Sequence, residues 1–304
     1  MAYLKVIRPL NLFLIAFTQL ILHYCIYLPN IEKASLSPLQ FFLLVLCTLT
    51  IAAGGYLIND IYDYKADIIN KPHKTWVGQQ LTVHASWFYY FFLLVSGLLI
   101  AAYLAWATEN LPLLTLYPGA CFILWWYAFR LKKAGLSGNL VVAGMTAFVC
   151  IILVIAERRY LLSVEYHKVL VLFSGFSWFS FVINLVREWV KDIEDMEGDM
   201  LINSFSLPIM QGIDFVKNLI AVCLGITILS LVIFNVWFPH SFHQKIFSIV
   251  FVIAPIVKVA IQIQKSRDRD AYHKSANALK LILLLGLIYL LMFSPLFVPH
   301  GIIE

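Results

Sequence analysis

Long apolar runs separated by short polar stretches make up most of the chain. A bilayer core about 30 Å thick is crossed by roughly 20 apolar residues in a helix, because each helical residue rises about 1.5 Å. Runs of that length predict nine transmembrane helices. Their approximate bounds are Leu10–Leu28, Leu39–Ile58, Trp87–Trp106, Leu113–Leu131, Leu140–Ala156, Val169–Val186, Phe215–Val236, Ile246–Ile263 and Leu279–Phe297.

The composition excludes a soluble globular fold. Of the 304 residues, 62% are hydrophobic and only 13% are charged, and the mean hydropathy is +0.85. An ordinary globular domain is about a quarter charged. We therefore expect residues 1–304 to form one all-α domain, an integral membrane bundle.

Basic residues show which ends of the predicted helices face the cytoplasm. They are concentrated on the side of the N-terminus, whereas the connection between residues 107 and 112 on the other side carries none. The positive-inside rule then predicts a multi-pass protein with its N-terminus in the cytoplasm, in the inner membrane if the source is bacterial. The formal charge of +5 reflects this topology and an anionic ligand or lipid surface. No motif for nucleic-acid recognition is present.

The acidic residues cluster in two short segments on that cytoplasmic side. Each segment contains the spacing Asp-x-x-Asp-x-x-x-Asp, once after the second run and once after the sixth. If the helix continues, the three carboxylates share one face and repel one another. Carboxylates near a membrane interior are costly unless cations pair with them. The two triplets are Asp60, Asp63 and Asp67, and Asp192, Asp195 and Asp199.

Magnesium is the cation that these ligands predict. All six side chains offer oxygen donors, and Mg²⁺ usually joins one or two carboxylates to substrate phosphates while keeping several waters. No His or Cys cluster indicates zinc instead. A solvated acidic loop would explain one such segment, but two segments with matched spacing favour a metal site.

The arrangement of acidic and basic segments indicates an internal repeat. Each acidic motif follows an even-numbered span, and a basic loop follows two spans later. This order predicts two four-helix pseudo-repeats plus one helix, with Asp-rich loops forming a cytoplasmic cap. The basic loops contain Arg130, Lys132 and Lys133 in the first half, and Lys265, Arg267 and Arg269 in the second.

A diphosphate substrate would suit metals flanked by cations. Arg187 and Lys191 are favoured among the basic residues, because they lie one helical turn apart beside the second motif. Metal-bound diphosphate is a good leaving group, and apolar helices rich in aromatic residues would shield an allylic cation from water. The basic residues at this level are Arg8, Lys65, Lys71, Lys74, Lys132, Lys133, Arg187 and Lys191.

These motifs resemble those of the UbiA superfamily of membrane prenyltransferases. The first reads Asn59-Asp60-Ile-Tyr-Asp63-Tyr-Lys-Ala-Asp67, and the second reads Arg187-Glu188-Trp-Val-Lys191-Asp192-Ile-Glu194-Asp195-Met-Glu197-Gly198-Asp199. Weaker similarities extend over nearly the whole chain. They are Arg8-Pro9-Leu-Asn11, the segment from Tyr127 through Lys132 to Asn139, and Leu207-Pro208 with Gly212.

The resemblance implies Mg²⁺-dependent transfer of a prenyl group from an isoprenoid diphosphate to a lipid-soluble acceptor, with entry through a lateral opening. The carboxylates of Asp60, Asp63, Asp192 and Asp195 would be catalytic, and together with Asn59 they would hold Mg²⁺ and diphosphate. Asp67 and Asp199 would assist. The substrate-binding residues would be Arg8, Asn11, Asn59, Lys65, Tyr127, Lys132, Asn139, Arg187 and Lys191.

Two positions depart from the family pattern. Phe205 and Ser206 stand where many relatives have a basic residue and Thr, and Lys74 and Thr75 stand where many have Arg-Pro. These departures concern diphosphate contacts and substrate choice more than metal binding.

The wording of the second motif is most similar to members that prenylate glycerol-phosphate lipids, the geranylgeranylglyceryl phosphate type. Members with aromatic acceptors, which make quinones, are the alternative within the family. Outside it, the acidic clusters are also compatible with a transporter of divalent cations or anions, or with a non-catalytic protein that binds prenyl lipids.

Overall fold

A computed structural model gives the fold of residues 2–31, 33–70, 75–201, 205–238 and 241–294. Within these ranges nine helices are long and apolar enough to cross a membrane, which confirms the predicted number. Each overlaps one predicted run. Their bounds are Pro9–Asn30, Pro38–Lys65, Val83–Ala107, Leu111–Phe129, Leu136–Ala156, Val164–Glu194, Ile213–Trp237, Phe242–Lys265 and Arg269–Leu291.

The described chain is helical apart from its connections, and its only β pairing is an isolated bridge between Val77 and Leu81. In chain order the helices are α1 (Ala2–Val6), α2 (Pro9–Leu20), α3 (Leu28–Asn30), α4 (Pro38–Asn70), α5 (Val83–Ala107), α6 (Leu111–Phe129), α7 (Leu136–Ala156), α8 (Arg158–Leu161), α9 (His167–Glu194), α10 (Met196–Leu201), α11 (Leu207–Gln211), α12 (Ile213–Trp237), α13 (Phe242–Phe247), α14 (Ala254–Lys265) and α15 (Arg269–Leu291). Two π-helical segments, Ile21–Tyr27 and Ser248–Ile253, join α2 to α3 and α13 to α14.

The helices that carry the acidic motifs are longer than their apolar runs. Helix α4 continues past the predicted end at Ile58 to Asn70, and α9 continues past Val186 to Glu194. The Asp-rich segments expected as loops are therefore largely helical. On α4 the buried residues Leu57 and Ile61 keep the helical period beyond the apolar run, because one face stays packed while the other becomes polar.

The ninth span begins earlier than the run predicted. Helix α15 starts at Arg269 and ends at Leu291, whereas the prediction ran from Leu279 to Phe297, and residues 295–297 lie outside the described residues. The Asp268 side chain accepts a hydrogen bond from the Ala271 backbone N–H at 2.7 Å. This N-cap starts the helix in a polar segment that a hydropathy pattern does not detect.

The chain divides into two compact units. The first comprises Met1–Leu20, Lys33–Lys132 and Ile152–Tyr160. Within it α4 packs against α2, α5 and α6. Its core is a cluster of buried apolar side chains around the second half of α4. The cluster contains Val6, Ala53, Leu57, Ile58, Ile61, Val77, Leu81, Tyr90, Leu93 and Ala128.

The second unit comprises Ile21–Glu32, Lys133–Ile151 and Leu161–Glu304. Within it α9 packs along α15 and against α12. Gly286 on α15 lies directly against the Phe179 ring of α9, since a Cβ added to that glycine would lie 2.2 Å from Phe179 Cε1. At the other end of the pair, His273 Nδ1 lies 2.8 Å from Glu194 Oε1. The two helices therefore run antiparallel in a defined register.

Candidate active site

The first acidic motif lies on the last turns of α4. Asp60, Asp63 and Asp67 follow one face of this helix, as the spacing predicted, and both later carboxylates lie close enough to Asp60 to repel it. Asn59 is on the same surface and donates from Nδ2 to Asp63 Oδ2 at 3.0 Å. The motif is thus a compact cluster of oxygen ligands on a rigid element.

Arg8 is the cation that partners Asp60. Its Nη2 atom lies 2.9 Å from Asp60 Oδ1, and its guanidinium lies 5.0 Å from the ring centre of Tyr56, also on α4. Arg8 occupies the break between α1 and α2 with a φ of 54°, a left-handed conformation that is uncommon for residues other than glycine. Such strain persists only where surrounding contacts hold it, and it is often found at functional sites.

Lys132 is the cation that partners Asp63. Its ammonium group forms an ion pair with Asp63 Oδ2, the oxygen that also accepts from Asn59. Lys132 lies in the short 3₁₀ turn Leu131–Lys133 that follows α6. The packing of α6 on α4 therefore brings together two groups that are far apart in the sequence.

The turn in the connection between α4 and α5 packs against the end of α4. Gly78 has a φ of +81°, and a Cβ at this position would lie 2.9 Å from Tyr64 Cδ2 and 3.1 Å from Ile68 Cδ1. Only glycine combines this backbone conformation with so close an approach. The contact packs residues near Gly78 against the helical segment that carries the acids.

The second acidic motif lies at the end of α9 and the start of α10. Asp192 is in the last turn of α9, Asp195 is its C-cap residue, and Asp199 lies within α10. The Asp199 backbone N–H donates to the Asp195 carbonyl oxygen at 3.0 Å, and its carboxylate lies close enough to Asp192 to repel it. This motif is therefore also a cluster of carboxylates.

Asn139 orients the Asp192 carboxylate. It lies near the start of α7, is 7% exposed, and donates from Nδ2 to Asp192 Oδ2 at 2.9 Å. An amide can hold a carboxylate in position without adding a charge of its own. The structure thus places Asn139, a predicted site residue, beside this motif.

Residues of α15 contact the other acids of the second motif. Arg269 Nη2 lies 3.5 Å from Asp195 Oδ1, and His273 contacts Glu194 as described above. In both pairs the basic side chain is largely exposed to solvent. Each pair therefore contributes little to stability, about 0–1 kcal/mol. A ligand could replace these partners at a low energetic cost.

Three cations lie together close to the second Asp triplet: Arg187 and Lys191 on α9, and Lys280 on α15. Arg187 and Lys191 both contact Glu188 Oε1, at 2.8 Å and 3.3 Å. Lys280 on α15 lies close enough to Arg187 and Lys191 for mutual repulsion. The Arg187 Nε atom is buried and has no hydrogen-bond partner among the described residues. Glu188 therefore contacts two of the three cations, and Asp192 interacts with the charge of Lys191.

Comparison with known families shows which proteins this chain resembles. The model of the UbiA prenyltransferase family matches residues 31–285, most of the chain. The chain belongs to the UbiA prenyltransferase family. It is therefore a membrane prenyltransferase, and the nine helices of the described chain that are long and apolar enough to span a membrane make it an integral multi-pass protein.

Individual relatives cover nearly the full length of this UbiA family member. A digeranylgeranylglyceryl phosphate synthase from Methanobrevibacter smithii is 25% identical over 291 residues, which are 94% of each chain. A solved structure of a digeranylgeranylglyceryl phosphate synthase in membranes is 22% identical, covers 96% of each chain and has a TM-score of 0.71. A UbiA homolog from Archaeoglobus fulgidus bound to DMAPP and Mg²⁺ is 14% identical, covers 95% of this chain and 99% of that chain, and has a TM-score of 0.61. The two structures share the UbiA fold with this chain.

Three further predicted site residues, Asn11, Lys65 and Tyr127, lie on helices of the first unit. Asn11 is in the first turn of α2 and donates its backbone N–H to the Arg8 carbonyl oxygen at 2.9 Å. Tyr127 is in the last turns of α6. Lys65 is exposed, with its Nζ 6.0 Å from the ring centre of Tyr64, and it forms no ion pair within the described part of the chain. Lys71 and Lys74 lie outside the described residues.

The position of Lys280 was not predicted as part of a site. The charge pattern of the sequence predicts only that this lysine lies on the same side as the N-terminus. A signal was present, because a lysine at the start of a long apolar run is expensive in a membrane and often functional. Its partners on α9 become visible only in the folded structure.

The oxygen donors of both motifs fit magnesium. Among the described residues no three His, Cys, Asp or Glu side chains form a ready-made metal cage. Mg²⁺ does not need one, since it is commonly held by one or two carboxylates and substrate phosphates. Asn59 Oδ1 is buried and has no hydrogen-bond partner in the described structure, which suits a neutral ligand to a hard cation.

Proposed function

We propose that the protein transfers a prenyl group from an isoprenoid diphosphate to a hydroxyl group of a glycerol-phosphate lipid, with Mg²⁺ as cofactor. The observation that carries this proposal is the pair of Asp clusters, each with cationic partners of its own. Relatives named digeranylgeranylglyceryl phosphate synthase support the acceptor class, and the A. fulgidus homolog bound to DMAPP and Mg²⁺ supports the donor and the metal.

Magnesium would be held in the first unit by Asn59, Asp60 and Asp63, and in the second by Asp192 and Asp195. Asp67 and Asp199 would raise the local negative potential that attracts the ion. When bound, Mg²⁺ neutralises charge on the leaving diphosphate. Asn139 would keep Asp192 in the orientation that binding requires.

We also propose that the cations beside the first motif, Arg8 and Lys132, bind the diphosphate. Exposed ion pairs such as Arg8–Asp60 contribute about 0–1 kcal/mol, so their exchange is inexpensive. When Asp60 and Asp63 bind the metal, Arg8 and Lys132 become available to donate to diphosphate oxygens. Arg8 offers a planar set of donors that matches phosphate oxygens, whereas Lys132 supplies a point charge.

The reaction breaks the bond between the allylic carbon and the diphosphate oxygen, and the electron pair leaves with the diphosphate. The resulting cation is attacked by the acceptor hydroxyl oxygen, which forms the new carbon–oxygen bond and loses its proton. The products are a prenyl ether, diphosphate and a proton. The apolar helices exclude the water that would otherwise capture the cation.

We propose that the 304 residues act as one catalytic domain, because one turnover would require both motifs. We also propose that the motifs face the cytoplasm, which the loop charges support. Reporter fusions after residues 70 and 163 test this orientation. Cytoplasmic signal at the first position and external signal at the second are expected, and the reverse pattern would reject the orientation.

Purified protein with Mg²⁺, labelled prenyl diphosphates of several lengths and alternative acceptors tests the function. We expect diphosphate release coupled to ether formation on a glycerol-phosphate lipid. Prenylation of an aromatic acid with no reaction on the lipid would favour the quinone-type alternative. Metal flux into liposomes without turnover would favour a transporter.

A further inference from the structure

Lys280 is a charged side chain in a helix that crosses the membrane. It is half-buried at the start of the apolar part of α15 and has no ion-pair or hydrogen-bond partner among the described residues. An ionisable residue inside a membrane span is costly and commonly has a functional partner. The absence of a protein partner leaves the charge available to a ligand.

The register between α9 and α15 places Lys280 beside Arg187. Gly286 contacts Phe179 at one end of the helix pair, and His273 contacts Glu194 at the other. Because the helices are antiparallel, positions between these contacts pair in reverse order, and Lys280 falls opposite Arg187. The repulsion between Lys280 and both Arg187 and Lys191 agrees with this register.

The group formed by Arg187, Lys191, Lys280 and Glu188 carries more positive than negative charge. Arg187, Lys191 and Lys280 supply three positive charges, and Glu188 is the carboxylate that contacts two of them. These four side chains together carry a net charge of about +2, and Asp192, whose charge also interacts with that of Lys191, is a predicted metal ligand. A phosphate monoester carries about −1.5 to −2. The buried Arg187 Nε atom without a partner adds an unused hydrogen-bond donor. Both observations point to an anionic ligand.

Arg187 and Lys280 are displaced along the helix pair from the predicted metal ligands, whereas Lys191 directly precedes Asp192 and interacts with its charge. Arg187 precedes Asp192 by five residues, about 7–8 Å along the axis at about 1.5 Å per residue. Side chains on a helix also lean toward its N-terminus, which takes the guanidinium further from Asp192. A phosphate bound to Mg²⁺ at about 2.0–2.1 Å from its ligands would stay near the carboxylates. Arg187 and Lys280 thus suit a different phosphate.

We propose that Lys280 and Arg187 form the binding site for the phosphate group of the acceptor lipid. This inference rests on the proposed function. A glycerol-phosphate lipid carries its reacting hydroxyl and its phosphate on the same glycerol unit, so the phosphate must lie near the metal-bound diphosphate without sharing its ligands. The Arg187–Lys280 site meets this requirement and would select phosphorylated over neutral acceptors.

Lys280→Gln tests the proposal, with Lys274→Gln as the matched control. Lys274 is an exposed lysine of the same helix, with no described ion pair. We expect Lys280→Gln to raise the KM for the phosphorylated acceptor at least tenfold and to leave the KM for prenyl diphosphate within about twofold. Lys280→Arg should recover part of the loss, because it keeps the charge. An unchanged acceptor KM, or a raised KM for prenyl diphosphate alone, would overturn the proposal.

A binding measurement without prenyl diphosphate separates this inference from the proposed function. We expect the phosphorylated lipid to raise the melting temperature of the wild type more than its dephosphorylated form does, and Lys280→Gln to abolish the difference. The variant alone should melt at the wild-type temperature or above, since it removes a repulsion. Equal stabilisation by both lipids, or by neither, would overturn the acceptor site. Failure of turnover with this binding intact would instead reject the proposed reaction.

Discussion

Asn139 donates a hydrogen bond from Nδ2 to Asp192 Oδ2 at 2.9 Å, and thereby links the start of α7 to the last turn of α9. The two residues lie 53 positions apart, so the contact depends on the fold of the second unit. The other carboxylate oxygen of Asp192, Oδ1, takes no part in this hydrogen bond. Partners of this kind fix the orientation of a metal ligand.

Asn139→Ala should lower turnover, because Asp192 loses the partner that orients its carboxylate. Loss of an orienting partner commonly costs about 10–100-fold in metal affinity or activity, and we expect a fall of that size with a higher Mg²⁺ requirement. Diphosphate release measured across a Mg²⁺ titration checks it. Asn218→Ala, at an exposed position of α12, is the control and should behave as wild type. A wild-type Mg²⁺ curve for Asn139→Ala would contradict the role.

Arg8→Gln should impair binding of the prenyl diphosphate. We expect its KM to rise about tenfold, because a charge-assisted hydrogen bond to an anion contributes about 1.5–3 kcal/mol. Arg8→Lys should recover only part, since lysine lacks the planar donor set. Steady-state kinetics with varied donor concentration measure this effect. Arg267→Gln, at an exposed arginine with no described ion pair, should leave the KM unchanged. Equal KM values for the two variants would count against Arg8.

Gly286→Ala should destabilise the second unit. The new Cβ would lie 2.2 Å from Phe179 Cε1, and relieving such overpacking costs about 1–3 kcal/mol. Thermal unfolding in detergent measures the effect. Gly225→Ala is the matched control, because nothing lies within 4 Å of its added Cβ on helix α12. That variant should keep or slightly raise the melting temperature. Equal melting temperatures for the two variants would show that the close contact between α9 and α15 does not contribute to stability.

Lys217→Met should destabilise the protein without changing its substrate preference. Lys217 is 8% exposed and donates from Nζ to the carbonyl oxygens of Ser266 and Gln264 at 2.7 Å and 3.3 Å. These carbonyls lie at the end of α14, where positive charge is favourable. The Ser266 carbonyl oxygen also accepts from the Tyr272 hydroxyl at 2.9 Å, so the loss falls mainly on the Gln264 carbonyl oxygen. Leaving that group unsatisfied costs about 1–3 kcal/mol.

Lys258→Met tests whether that effect is specific. Lys258 is exposed on α14, so its replacement should leave the melting temperature within about a degree of wild type. The KM values of Lys217→Met should remain those of wild type, because this lysine fixes the turn that precedes α15 and does not lie in the acidic clusters. A large change in acceptor preference would contradict this assignment.

The number and helical type of the membrane spans in the described chain could be predicted from the sequence, because each span must satisfy its backbone hydrogen bonds in hydrocarbon and therefore forms a long apolar helix. The ends of the helices could not. Helix α4 extends through Asp60 and Asp63, since packing of Leu57 and Ile61 continues where hydropathy falls. The π-helical segment Ile21–Tyr27 inside the first span also leaves no signal in the apolar pattern.

The matched spacing of the two Asp triplets predicts hard metal ligands, but it does not predict which side chains pair with them. By contrast, the pairing of Lys132 with Asp63 depends on how α6 packs against α4. The position of Lys280 depends on the register between α9 and α15. Such contacts join residues remote in sequence, and one sequence carries no record of them.

Diphosphate release by Asp63→Ala and Asp195→Ala, one variant from each motif, tests the account most directly. It would be measured with Mg²⁺ at saturating prenyl diphosphate and acceptor, beside Asp214→Ala, which removes an exposed carboxylate with no described ion pair. We expect both motif variants to fold and to lose turnover by several orders of magnitude, because the metal charge at the leaving group is lost. The control should retain wild-type turnover. Near-wild-type release by either motif variant would contradict the requirement for both clusters.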